Sequence, residues 1–234
     1  MSDDGFKDFS FGTGDKDIGK KSQRFKGKEG ETYRVSFVWV GKDEEGKDVC
    51  RFTGCERHYV QGVGYFLHKG PEYARIAGGP PKQAVATILV VWPTDKNGRL
   101  NKEAFGRGEG WEVKPWVFSA ERYEQLARRN EQFPLHEFDL TITCTDSQYQ
   151  KMDLSPCRES LFSKLGEAKN DKSAKILETI MAEVESAEKG LRNDMARDVS
   201  LDKIREKMGG SAATPASGGA AENVDGLLDN LLDE

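Results

Sequence analysis

Large rings are missing from the last third of the chain. In 234 residues there are 12 Phe, 6 Tyr and 4 Trp, and none of them follows Phe162. A core that buries aromatic side chains is therefore confined to the first two thirds, and the remainder must be helix, linker or tail. Long apolar runs are missing as well: no stretch approaches the roughly 20 residues of a membrane span. The opening MSDDGFKDFSFG is acidic and has no apolar leader region. An intracellular protein is expected, in which Cys50, Cys55, Cys144 and Cys157 stay reduced.

Catalytic signatures are absent too. The chain contains no Gly-x4-Gly-Lys-Ser/Thr, no Gly-x-Ser-x-Gly and no His-Glu-x-x-His. His136 stands alone beside Pro134, and Asp43-Glu44-Glu45 sits in a solvated, turn-like GKDEEGK. No enzyme is expected. Basic side chains are absent from residues 222–234, where Glu222, Asp225, Asp229, Asp233 and Glu234 account for the whole net charge of −5. Residues 20–130 carry 21 basic against 14 acidic side chains. A basic middle and an acidic end suit an anionic ligand and an internal mimic of that ligand.

What is present divides the chain into five parts. Residues 1–30 read as a mobile arm with a basic cluster at Lys20, Lys21 and Arg24, suited to phosphates, to a neighbouring subunit or to plain solvation. Residues 31–154 have the texture of a β-domain. Tyr33, Val35, Phe37 and Trp39 alternate as a half-buried strand, and AVATILVVW, stopped by Pro93, reads as a central one. Asn97-Gly98 marks a turn. Val113–Phe118 and the alternating Leu140, Ile142 and Cys144 supply further strands. Between them, Ser119 caps a helix whose stripe is Tyr123, Leu126 and Ala127.

The fold class is therefore α+β with a mainly β core. An OB-fold-like Greek-key barrel fits the order of elements, and so does a mixed sandwich. Residues 155–208 read as helices packed on that core. Ser155-Pro156 opens the first, with Leu161, Phe162 and Leu165 on its face. Leu177, Ile180, Met181, Val184, Ala187 and Leu191 follow helical spacing through 172–193, and a shorter helix covers 200–208. Residues 209–221 (GGSAATPASGGAA) are a flexible linker. Residues 222–234 are an acidic tail that cannot fold alone. Its Asp225, Leu227, Leu228, Asp229, Leu231, Leu232 and Asp233 suit docking to partner proteins or competition with DNA phosphates.

Basic and aromatic residues interleave through the middle. Arg51, Arg57, Tyr59, Tyr65, Tyr73, Arg75 and Lys82 recur in a Gly-rich stretch without clean strand alternation, and Trp92 and Trp116 lie on predicted strands. Single-strand binders need cations for the phosphate track and exposed rings for bases. Taken singly, each ring is as well explained by the core. Cys50, Cys55, His58 and His68 are all zinc-ligating types, enough to close a tetrahedral structural site, and equally two reduced cysteines and two surface histidines.

Together these parts resemble the single-stranded DNA-binding (helix-destabilising) proteins of T4-type phages. Tyr33 to Val40 looks like the first barrel strand, CRFTGCERH stands where the family has its Cys-rich zinc loop, ATILVVWP resembles its apolar strand, and VDGLLDNLLDE its terminal Asp/Leu peptide. The family pattern closes its metal loop on a Cys where this chain has His58, which makes His68 the expected fourth ligand. The resemblance implies sequence-tolerant coating of single strands in phage replication, recombination and repair, within the host cytoplasm. It also implies a tail that recruits a DNA polymerase or other replication and recombination proteins, with self-association on DNA. The rival readings are an interaction adaptor without nucleic acid and a small nuclease, the latter lacking a visible carboxylate cluster.

Overall fold

In the computed structural model, residues 24–146 and 151–208 are described in full and residues 6–8 by their backbone strand alone. The architecture is mixed α+β: a mainly antiparallel sheet and, among the described residues, six helices. The strands are β1 (Phe6–Asp8), β2 (Thr32–Phe37), β3 (Val40–Lys42), β4 (Asp48–Cys50), β5 (Thr53–Val60), β6 (Gly64–Leu67), β7 (Lys82–Val91), β8 (Glu112–Ser119), β9 (Leu140–Cys144) and β10 (Met152–Pro156). The helices are α1 (Pro71–Ala77), α2 (Lys102–Arg107), α3 (Ala120–Gln132), α4 (Leu161–Glu167), α5 (Asp171–Met195) and α6 (Leu201–Lys207).

β7 organises the sheet. It pairs with β8 from Ala84 to Val91 along one side. On the other side its first half meets β5 and its second half meets β2. β9 and then β10 extend the sheet beyond β2, while β1 and β6 share the outer edge of β5. The apolar run of β7 from Ala84, broken only by the buried Thr87, follows from burial on both faces. Ala84, Ala86, Ile88 and Val90 pack under Leu161, Leu165, Ile180, Val184, Leu191 and Met195 of α4 and α5. Val85, Leu89 and Val91 face a second cluster with Phe37, Trp116, Leu126, Leu140 and Leu154.

The sheet curls around that second cluster without closing. β8 and β10 do not pair with each other among the described residues, so the closed barrel expected from the element order is not found. β2 is also less amphipathic than its sequence suggests. Ser36, between two apolar positions, is 1 % exposed because it accepts the Trp92 indole N–H at 2.7 Å and donates to Asp139.

The helical expectations hold for α5, α6 and most of α3. Ser119 caps α3 through the Arg122 N–H, yet Ala127 is exposed and Arg122 takes the buried position beside Leu126. Met181 on α5 likewise faces outward. Ser155-Pro156 does not open a helix. It ends β10, in register with Thr141 and Leu140. The helix begins at Leu161 instead, where the Ser160 hydroxyl accepts the Ser163 N–H. Ser160 has the free extended geometry of a cap, whereas the preceding residues are held in the β9 ladder.

Candidate nucleic-acid interface

The stretch from Arg51 to Lys82 contains regular elements that its sequence conceals: β5, β6 and α1. β5 reads Thr-Gly-Cys-Glu-Arg-His-Tyr-Val, where a buried histidine and a buried cysteine blur the alternation. β5 and β6 form a hairpin in which Tyr59 stands directly opposite Tyr65 and Arg57 opposite Leu67. Cross-strand partners project from the same face, so the two tyrosines meet with ring centroids 5.0 Å apart and planes tilted by 53°. Tyr59 is 59 % and Tyr65 39 % exposed, the two most accessible rings among the described residues.

Arg57 sits beneath this pair. Its guanidinium lies 3.9 Å from the centroid of Tyr65, and its Nη1 donates to the carbonyl of Met195 at 2.6 Å, at the C-terminal end of α5. A helix C-terminus favours a cation, and the ring quadrupole does too. Burial pulls the guanidinium below its ordinary range, and the nearby charge of Arg24 pushes in the same direction. Arg57 is thus a brace that fixes the tilt of Tyr65. Lys82, exposed and directly opposite Arg57 on β7, places a second cation on the same face. The resulting surface presents two rings and a lysine where α5 stops covering the sheet.

Other expected site residues lie elsewhere. Trp92 and Trp116 are each 2 % exposed, and Tyr73 is 9 % exposed, so none offers a ring face to a base. Trp92 packs edge-on to Phe105 and donates to Ser36. Trp116 lies between Phe25, Phe37 and Phe118. Tyr73 packs on Phe66 and donates to the carbonyl of Val199. These three are corrected from candidate stacking residues to core. Arg51 lies over the Trp39 ring and pairs with Glu188 at 3.5 Å, with its side chain 13 % exposed. Arg75 is exposed and pairs with Glu72 at 3.0 Å. Lys20, Lys21 and the tail residues fall outside the described residues, while Arg24 is half-buried next to the core residue Phe25.

The four metal-ligating types do not converge. His58 and His68 meet, with Nε2 of one 2.9 Å from Nδ1 of the other. Cys55 is three residues from His58 on the same strand and so faces the opposite side of the sheet. It joins the cluster under α5, whereas Cys50 packs beside the Phe37 and Trp116 cluster. Burial pushes the Cys50 thiol up to about 12 and the Cys55 thiol to about 11. Among the described residues no group of three or more His, Cys, Asp or Glu side chains is gathered as a metal would require. This donor set does not fit a tetrahedral zinc site.

Arg197 completes the hairpin and was not anticipated. Its main chain bonds to Tyr65 and Leu67, and its Nη2 donates to the carbonyl of Val63 in the β5–β6 turn. Nothing local in the sequence announces it, because its partners lie more than a hundred residues upstream. Compared with protein families, with curated proteins and with solved structures, the chain matches none of them.

Proposed function

We propose that this protein binds single-stranded DNA without sequence preference, coating and protecting it during replication, recombination and repair. The supporting observation is the exposed Tyr59–Tyr65 pair, braced by Arg57 and flanked by Lys82. An exposed ring costs solvation unless something covers it, and every base has a π-face, so a tyrosine platform accepts bases of any identity. The tilt of 53° keeps the rings from stacking on each other, which leaves the outer face of Tyr59 to a base. Lysine beside them supplies attraction to phosphate. The sheet curled around the Phe37 and Leu140 cluster supports the finer reading of a partly open OB-like barrel. In this reading the acidic tail recruits replication proteins.

The experiment is fluorescence anisotropy of a labelled oligo-dT titrated with the full chain at several salt concentrations. Binding is expected to weaken linearly on a log–log plot against salt, with a slope near −0.7 per phosphate neutralised. An unchanged anisotropy at low salt defeats the proposal and favours the adaptor. Cleavage of the oligonucleotide on adding a divalent metal favours the nuclease.

A further inference from the structure

β6 pairs with β5 along one edge, and its other edge is taken by the chain that leaves α5. The Arg197 N–H donates to the Tyr65 carbonyl, and the Arg197 carbonyl accepts from the Leu67 N–H, each at 3.1 Å. This residue therefore bridges to Phe66 in parallel register, while its Nη2 holds the Val63 carbonyl in the turn at 2.6 Å. Asp198 then pairs with Lys69, and the Val199 carbonyl accepts from Tyr73. Ile204 of α6 closes over Val63, Phe66 and Tyr73 and is wholly buried. Residues 197–207 thus form a strap on the hairpin. Because Tyr65 and Phe66 point to opposite faces of their strand, α6 lies across the sheet from the tyrosine pair.

The strap is firmly anchored at one end and weakly at the other. Met195 and Ala196, where it begins, are buried, and Arg57 holds the Met195 carbonyl. α6 has seven residues, and Ile204 is its one buried side chain. Ser200 gives it no side-chain cap bond, whereas α2, α3, α4 and α5 each receive one. A helix this short does not persist in water on its own hydrogen bonds. The docking of α6 rests on Ile204, so the strap can open as a unit while α5 and the central sheet stay formed. Opening leaves the Tyr65 carbonyl and the Leu67 N–H without partners and frees the Val63 turn.

On the single-strand reading of the Tyr59–Tyr65 face, on which this rests, we propose that residues 197–207 position the tyrosine pair. The single strand binds tightly while the strap is docked and weakly when it is open. Arg197 and Ile204 are positioning residues that act through the backbone of Val63, Tyr65 and Leu67. Linkage makes the effect reciprocal. A strand on the tyrosines holds the strap down by the same factor by which an open strap weakens the strand.

Hydrogen exchange on the full chain, with and without saturating oligo-dT, tests this. The reporter is the Ile204 amide, bonded to the Ser200 carbonyl at 3.1 Å. It lies across the sheet from the tyrosines, so a bound strand does not shield it directly. In the free chain it is expected to exchange faster than residues 84–91, and on the complex to slow by about tenfold or more. Ile204→Ala is expected to bind oligo-dT weaker by about the same factor, with exchange at 84–91 still slow. Equal rates at Ile204 and 84–91 in the free chain mean that the strap does not open by itself, and overturn the proposal. So does an Ile204→Ala chain whose strap exchanges faster yet binds oligo-dT as tightly as the native one. A native chain that binds oligo-dT and leaves the Ile204 rate unchanged overturns it without any variant, and the single-strand reading survives. No binding of oligo-dT by the native chain defeats both.

Discussion

The Arg34 guanidinium meets the Asp139 carboxylate at 2.8 Å, and the Asp139 side chain is wholly buried. Asp139 also accepts the Ser36 hydroxyl and the Leu161 amide, so one carboxylate ties β2, the entry to β9 and the start of α4 together. Ser36 in turn accepts from Trp92, which extends the network to the end of β7. Removing one partner of a buried pair leaves the other uncompensated. Asp139→Ala is therefore expected to lower stability by about 3–5 kcal/mol, read as a shift in the urea midpoint. Trp92→Phe loses the hydrogen bond to Ser36 and leaves a cavity where the fused ring stood, so it is expected to cost more than the about 1 kcal/mol of the hydrogen bond alone.

The hairpin tyrosines carry a different expectation. Tyr59→Ala should weaken oligo-dT binding by about 1–3 kcal/mol, roughly five- to 150-fold. Its melting temperature should barely move, since the ring is exposed. Trp116→Ala should do the reverse, costing about 3–5 kcal/mol of stability with the affinity of the folded fraction unchanged. A Tyr59→Ala protein that binds as tightly as the native chain removes the platform from consideration.

His58 gives the stability a pH dependence. Burial is the main cause holding its imidazole below the ordinary value of about 6.5, with the His68 charge second and Glu56 opposing. The unfolded chain then binds the proton more tightly than the folded one. Its contribution is present above pH 6.5 and is lost as the pH falls through the lowered folded value. Urea midpoints taken from pH 8 to 5 should fall more steeply for the native chain than for His58→Gln. Parallel profiles would show that the imidazole does not titrate on unfolding.

Gly64 opens β6 at φ 87°, and a Cβ there would come within 2.7 Å of Arg197 Nη2. Gly64→Ala is expected to cost about 1–2 kcal/mol for the left-handed backbone alone, plus the Arg197 contact with Val63. Thermal melting of Gly64→Ala/Arg197→Ala should show less than the sum of the two single losses, since the clash is relieved once. Additive losses would place the Arg197 side chain elsewhere.

Much of this fold is legible because burial on both faces leaves a plain mark. Ala84 to Val91 is apolar except at Thr87, whose hydroxyl donates to the carbonyl of Arg51, and α5 keeps its helical spacing through Leu191. The hairpin escaped because its pattern mixes two environments: β5 packs Cys55 under α5 and His58 against Phe66, then runs out past both at Tyr59. Arg57, Tyr59, Tyr65 and Lys82 were recognisable as types. That they share a face depends on the register of three strands, and that Trp92, Trp116 and Tyr73 do not join them depends on distant partners such as Ser36, Phe25 and Val199. Pro156 misled because proline is compatible with a helix start and with a strand end alike.

The position of β7 sets the pace at which the molecule can form. Its partners are residues 35–37, 53–57 and 112–119, so it waits on segments that precede it by tens of residues as well as on one that follows. Local turns close early, but the loops linking these segments must lose their freedom before any of the central pairings repays them. Refolding should accordingly be slow for a protein with this much helix, on the order of milliseconds to seconds. Until β7 is flanked on both sides, its apolar run is the part of the chain most exposed to pairing with the wrong molecule.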